Sequence, residues 1–303
     1  MITYVVSEIF QRPARVLVNT VNTVGVMGKG IAKEFKDYYP EMFAEYQSLC
    51  ERNQFQVGLL WLYKTPGKWV LNFPTKKHWR QPSRPEYIEL GLQKFVETYA
   101  ENAITFISFP MLGCGNGELS WAKGVRPLME KYLKNLPIEI FIHVRGHDPF
   151  VPEHRDPMAM RLWLRGEPES LAFTEVWDDL CEIIAKQNQF ETYDKEAFTA
   201  EIVERLDVGI EIKTSQMTIL VYKDALLDLW QHIRRLGFCM ERTMPSGLDR
   251  YAPYIVALLC NLSYLNPIMF TTQKRQTVGL RLELPPRKRA VSTPVPVREF
   301  QLV

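Results

Sequence analysis

Asn19-Thr-Val-Asn22-Thr-Val-Gly25-Val26-Met27-Gly28-Lys29-Gly30 follows the apolar run Val16-Leu17-Val18 and leads into the helix-like Ile31-Ala-Lys-Glu-Phe-Lys36. A strand that empties into a glycine-punctuated turn and then a helix presents free backbone N–H groups at one point, which suits a diphosphate. A second loop repeats the device. Pro110-Met-Leu-Gly113-Cys114-Gly115-Asn116-Gly117-Glu118 again follows a strand-like run and precedes a helical pattern. Two such loops at the same ends of neighbouring strands clamp a diphosphate from both sides, where open α/β sheets take their ligands. Gly25, Gly28 and Gly30 are not a dinucleotide fingerprint, because no acidic residue follows them at the right place. Two unrelated structural turns are the bland alternative.

Outward from these loops, β-like runs at 3–6, 16–20, 59–63, 70–73, 105–109 and 139–144 alternate with helical patterns at 31–39, 42–52, 87–99 and 122–133. That alternation is the mark of an α/β domain with a largely parallel or mixed sheet. In the third helix Ile88, Leu92, Phe95, Val96 and Tyr99 fall on one face at helical spacing, which is core. Between 145 and 168 the composition shifts to charge and proline, giving a boundary after residue 150 and a linker over 151–167. A smaller α+β domain over 168–285 follows. Phe173, Val176, Trp177, Leu180, Ile183 and Ile184 make an amphipathic helix, runs at 198–203, 209–212 and 217–222 an antiparallel meander, and Leu226, Leu229, Trp230 and Ile233 a further helix stopped by Gly237. A short helix near 255–262 and strand-like runs at 268–271 and 278–284 complete it. The proline- and charge-rich 286–303 reads as a flexible tail.

The chain has 303 residues, 46% of them hydrophobic, enough to bury a substantial core, and a net charge of +2 that gives no global sign of a nucleic-acid-coating protein. Its five cysteines are widely spaced without a C-x-x-C pair, so they read as reduced thiols in a cytoplasmic protein rather than disulfides or a zinc site. No stretch approaches membrane-spanning length. No metal or cofactor is called for.

Four segments, in order, resemble the macrodomain family, the ADP-ribose-binding module with three α/β/α layers and a mixed sheet, and within it the branch of bacterial DarG-type antitoxins. They are Ser7-Glu8-Ile9-Phe10, the Asn19 to Gly30 loop, Asn72-Phe-Pro-Thr75-Lys76-Lys77-His78-Trp79-Arg80, and the Gly113 to Trp121 loop. The resemblance implies that Glu8 and the Ile9 amide hold adenine, with glutamate where relatives usually carry aspartate. It implies that Asn22 faces the distal ribose. Val26, Met27, Gly28, Lys29, Gly30, Thr75, Gly113, Cys114, Gly115, Asn116 and Gly117 then line the substrate.

The same resemblance makes Lys76 the catalytic residue. A lysine beside a desolvated pocket serves as nucleophile or acid–base group when its pKa falls, or stays charged and stabilises the leaving group. Some relatives pair this lysine with an aspartate in the second glycine loop, where this chain has Gly117 and Glu118. Lys77, His78, Trp79 and Arg80 interleave cations with an aromatic, a mix that stacks on a base and binds flanking phosphates; a basic surface loop is the alternative. Cys114 has no histidine partner motif and reads as a small residue allowing close approach to phosphate. The implied activity is removal of ADP-ribose from bases, expected to be thymidine, of single-stranded DNA, with a DarT-like toxin as cognate partner of the second domain. A non-catalytic ADP-ribose reader and a hydrolase of ADP-ribosylated glutamate on protein are the rival expectations.

Overall fold

The computed structural model describes residues 1–11, 13–144, 151–204, 207–271 and 276–283. In the first half, β1 (Ile2–Val5), β2 (Val16–Val21), β3 (Trp61–Lys64), β4 (Trp69–Pro74), β5 (Phe106–Pro110) and β6 (Glu139–His143) form one sheet in the order β1-β6-β5-β2-β4-β3. Every pairing is parallel except β3 with β4. Helices α1 (Gly30–Tyr38), α2 (Pro40–Glu51), α3 (Pro85–Thr98) and α4 (Arg126–Leu133) cover the two faces. The alternation of β2 shows how. Val16 and Val18 join Ile88, Leu92 and Phe95 of α3 and Met129 of α4, whereas Leu17 and Val21 join Phe35 of α1 and Met42 and Tyr46 of α2. A strand buried on both faces must be apolar almost throughout, and β2 and β4 are. The expected mixed-sheet, three-layer macrodomain fold is the one observed.

The exception inside β2 is Asn19, fully buried, whose Nδ2 donates to Asn72 Oδ1 at 3.0 Å. The two asparagines are register partners at the exits of β2 and β4, and the same Nδ2 lies 3.8 Å from Met27 Sδ. This polar pair ties the first glycine loop to the sheet beneath it.

The second half contains α5 (Pro157–Gly166), α6 (Phe173–Lys186), β7 (Gln189–Glu191), β8 (Ala197–Glu204), β9 (Val208–Lys213), β10 (Thr218–Tyr222), α7 (Lys223–Leu236), β11 (Phe238–Met240), α8 (Ala252–Leu259), β12 (Leu265–Thr271) and β13 (Gln276–Leu282). They build antiparallel sheets in the orders β10-β9-β8-β7 and β11-β13-β12, so the expected meander is present with β7 added at its edge. Gly237 ends α7 at φ 80°, the left-handed stop its position predicts.

The expected linker over 151–167 is corrected by the structure, since it carries a 3-10 turn (Glu153–Arg155) and α5. Asp156 accepts a hydrogen bond from the Ala159 amide and Pro157 takes the first helical position, so Asp-Pro here opens a helix. Met160 and Leu164 of α5 are buried in the core of the second half, together with Val26 and Trp79 of the first. The expected tail over 286–303 lies outside the described residues.

Candidate functional site

At the C-terminal ends of β2, β4 and β5 the chain forms a cleft of about 740 Å³. The position is where this kind of sheet leaves its loops free to take a ligand. Glu8 and Ile9 lie in its wall, followed by the first loop through Asn22, Val26, Gly28, Lys29 and Gly30. Thr75 and Lys76 enter from the exit of β4, and Gly113, Cys114, Gly115, Asn116 and Gly117 supply the second loop. All of these were legible in the sequence.

Met27 is not in the wall. It is 2% exposed and packs with Phe35 and Tyr46 beneath the loop, which corrects its expected contact with substrate. Asn22 is in the wall but organises the loop: its Oδ1 accepts from the amides of Val24 and Val26 at 3.0 and 3.3 Å and from Tyr46 at 3.1 Å. Its Nδ2 donates to Val26 O at 2.6 Å, which leaves one amide hydrogen for a ligand.

Gly117 shows why the second loop is built of glycine. A Cβ there would stand 2.1 Å from Ser83 Oγ and 2.3 Å from the Gly113 carbonyl. Between them, Cys114 is buried, and burial pushes its thiol up to about 12. It is no nucleophile near neutral pH, in agreement with its lack of a histidine partner.

Lys76 is buried, and its Nζ donates to Glu153 Oε1 at 3.0 Å. Glu153 is itself 6% exposed and comes from the turn after β6, not from a glycine loop. The same turn is anchored on the second loop: Glu118, at φ 61°, accepts from His154 Nε2 at 2.8 Å and Arg155 Nη2 at 2.5 Å. These partners, His154 first, hold the Glu118 carboxyl below the usual range. Lys29 of the first loop reaches the Val151 carbonyl at 3.5 Å. Residues 151–155 therefore strap the two glycine loops together and set a carboxylate against Lys76. No sequence signal pointed to this strap, because the Glu153 to Lys76 contact spans 77 residues.

Within the expected DNA-contacting segment, the structure corrects the stacking role of Trp79. Trp79 is fully buried, and its Nε1 donates to Glu175 Oε1 of α6 at 2.9 Å. Arg80 pairs with Glu175 at 2.7 Å and Asp178 at 3.2 Å, and its guanidinium covers the Trp79 ring at 4.5 Å. Burial raises the Glu175 carboxyl, against the opposing pull of Arg80. His78 is drawn down to about 4, by burial first and by Arg80 second, and its Nδ1 accepts from the Arg80 amide at 3.0 Å. Of the four, Lys77 is the exposed one, with its ammonium 5.9 Å from the Tyr87 ring. An aromatic with no open face cannot stack on a base, so Trp79 and Arg80 join the two halves instead. A second clasp, Arg234 on Glu51 at 2.6 Å, closes the same interface.

Residues 18–127 match the family model of the Macro domain. A DNA ADP-ribosyl glycohydrolase of Thermus aquaticus is 40% identical over 154 residues, 49% of this chain and 42% of that protein. A DNA ADP-ribosyl transferase-DNA ADP-ribosyl glycohydrolase fusion protein of Thermosipho africanus is 34% identical over 171 residues, 50% of this chain and 44% of the fusion. An ADP-ribose glycohydrolase of Bos taurus is 30% identical over 145 residues, 47% of this chain and 90% of that protein. The chain thus spans less than half the length of the two bacterial relatives. No helix among the described residues is long and apolar enough to cross a membrane.

Proposed function

The chain belongs to the macrodomain family, and from that premise we propose that it is a cytoplasmic, antitoxin-type hydrolase that removes ADP-ribose from bases, thymidine in the first instance, of single-stranded DNA. The observation that carries this reading is the buried Lys76 amine facing the cleft between two glycine loops. Backbone amides of those loops hold the diphosphate, the Glu8 end of the cleft takes adenine, and Lys76 acts on the anomeric carbon of the distal ribose. The likeness to DNA ADP-ribosyl glycohydrolases supports the nucleic-acid substrate. The fusion of transferase and glycohydrolase in one relative supports a cognate DarT-like toxin as partner of the second half.

A protein acceptor, ADP-ribosylated glutamate, is the second reading. The engagement of Trp79 and Arg80 at the interface favours it, because it withdraws two residues expected to hold the strand. The two readings part in one assay, in which wild type and Lys76→Ala are given ADP-ribosylated oligonucleotide and ADP-ribosylated protein at equal enzyme. The DNA reading expects wild type to clear the oligonucleotide faster, with a loss on the order of 10³-fold in Lys76→Ala. Faster clearance of the protein, or full activity without Lys76, overturns it.

A further inference from the structure

We propose that Glu153, on the strap beyond the macrodomain, is the acid–base partner of Lys76 and delivers the proton to the departing nucleobase. The inference rests on the hydrolase reading above and adds a second reacting group to it. Glu153 Oε1 stands 3.0 Å from Lys76 Nζ, both side chains are nearly sealed from solvent, and both line the cleft. The acid of the second glycine loop is not available for this duty, because Glu118 is bound to His154 and Arg155. The loop's carboxylate holds the strap, and the strap brings a different carboxylate to the lysine.

A buried lysine–glutamate pair contributes little net stability, since desolvating two charges cancels most of their attraction. What it supplies in a cleft is a proton with two homes at hydrogen-bond distance. When the proton moves from Nζ to Oε1, the pair becomes a neutral amine and a neutral acid. The amine attacks C1 of the distal ribose, so that an N–C bond forms as the bond from C1 to the base nitrogen breaks. The acid gives its proton to the base, which leaves neutral. Water then displaces the lysine from C1, and its spare proton restores the ammonium and carboxylate. The sum is one water consumed, one hydroxyl on the sugar and one unmodified base left in its strand, with no outside reagent.

The test separates proton delivery from structural support by varying the leaving group. Full-length wild type, Glu153→Gln and Glu153→Asp are assayed on an ADP-ribosylated oligonucleotide and on p-nitrophenyl ADP-ribose, whose leaving group departs as a stable anion. In Glu153→Gln solvent must take the Nζ proton with either substrate alike, so the difference between the two substrates reads protonation of the leaving group alone. The expected result is a fall in kcat on the oligonucleotide on the order of 100-fold with KM little changed, but only a few-fold on the nitrophenyl substrate. Glu153→Asp keeps a titratable acid and is expected to lie between, with the same dependence on leaving group. It also provides the comparison if the glutamine variant folds poorly. Equal losses on both substrates, or no loss on the oligonucleotide, overturn the role of Glu153 while the hydrolase reading stands. A wild type inert towards both substrates overturns the hydrolase reading and this inference with it.

Discussion

Truncating Trp79 to alanine distinguishes a nucleobase platform from a structural anchor. The indole is fully buried among residues of both halves and donates to Glu175 at 2.9 Å. Removing a fully buried aromatic costs about 3–5 kcal/mol through lost transfer energy and the cavity left behind. Trp79→Phe keeps most of the apolar contact and deletes the N–H. Because Arg80 still pairs with Glu175 at 2.7 Å, the loss there is set by one hydrogen bond to a charged group, about 1.5–3 kcal/mol. Urea unfolding followed by far-ultraviolet circular dichroism, alongside calorimetric ADP-ribose binding, reads both effects. The expected order of stability is wild type, then Trp79→Phe, then Trp79→Ala. If Trp79→Ala is as stable as wild type within about 0.5 kcal/mol, binds ADP-ribose normally and fails only on modified DNA, the buried placement is wrong.

Gly117→Ala is expected to weaken ADP-ribose binding by at least about tenfold in calorimetry, since its Cβ meets the backbone carbonyl of Gly113 at 2.3 Å, whereas Gly67→Ala, with nothing within 4 Å, leaves affinity unchanged. Because the folded protein holds His78 near 4, below its unfolded value, its share of stability is complete above about pH 6.5 and is lost as pH falls from there towards 4. Discounted for partial exposure of the ring, that is about 1 kcal/mol, and His78→Asn should flatten the same stretch of a stability–pH curve. Native Cys114, held up near 12 by burial, should resist iodoacetamide at pH 8 while the urea-unfolded chain is alkylated there, as peptide mass spectrometry will report. Rapid native labelling would contradict the buried site.

The first half was legible because its signals are local. The runs Val16-Leu17-Val18 and Val70-Leu71-Asn72-Phe73 are strands buried on both faces, and that condition alone makes them nearly continuous in apolar residues. Glycines that must admit a close approach, as at Gly117, are marked in the sequence by their identity. The stripe from Ile88 to Phe95 likewise announces a core helix. At the boundary the same local logic misfired. Asp156-Pro157 lies in the stretch read as a linker but caps a helix, and the packing of Met160 and Leu164 against the second half is what distinguishes the two.

By itself the sequence determined the α/β alternation, the two amide-rich loops and the lysine at the exit of a central strand, because each is written in residues adjacent along the chain. Tertiary structure alone decided that Trp79 points into a shared core and not towards a ligand, and that Lys76 meets Glu153. Both outcomes depend on partners 96 and 77 residues distant. Contacts of that span are set by how the halves pack, and a hydrogen bond across them leaves no periodicity or composition for a linear reading to detect.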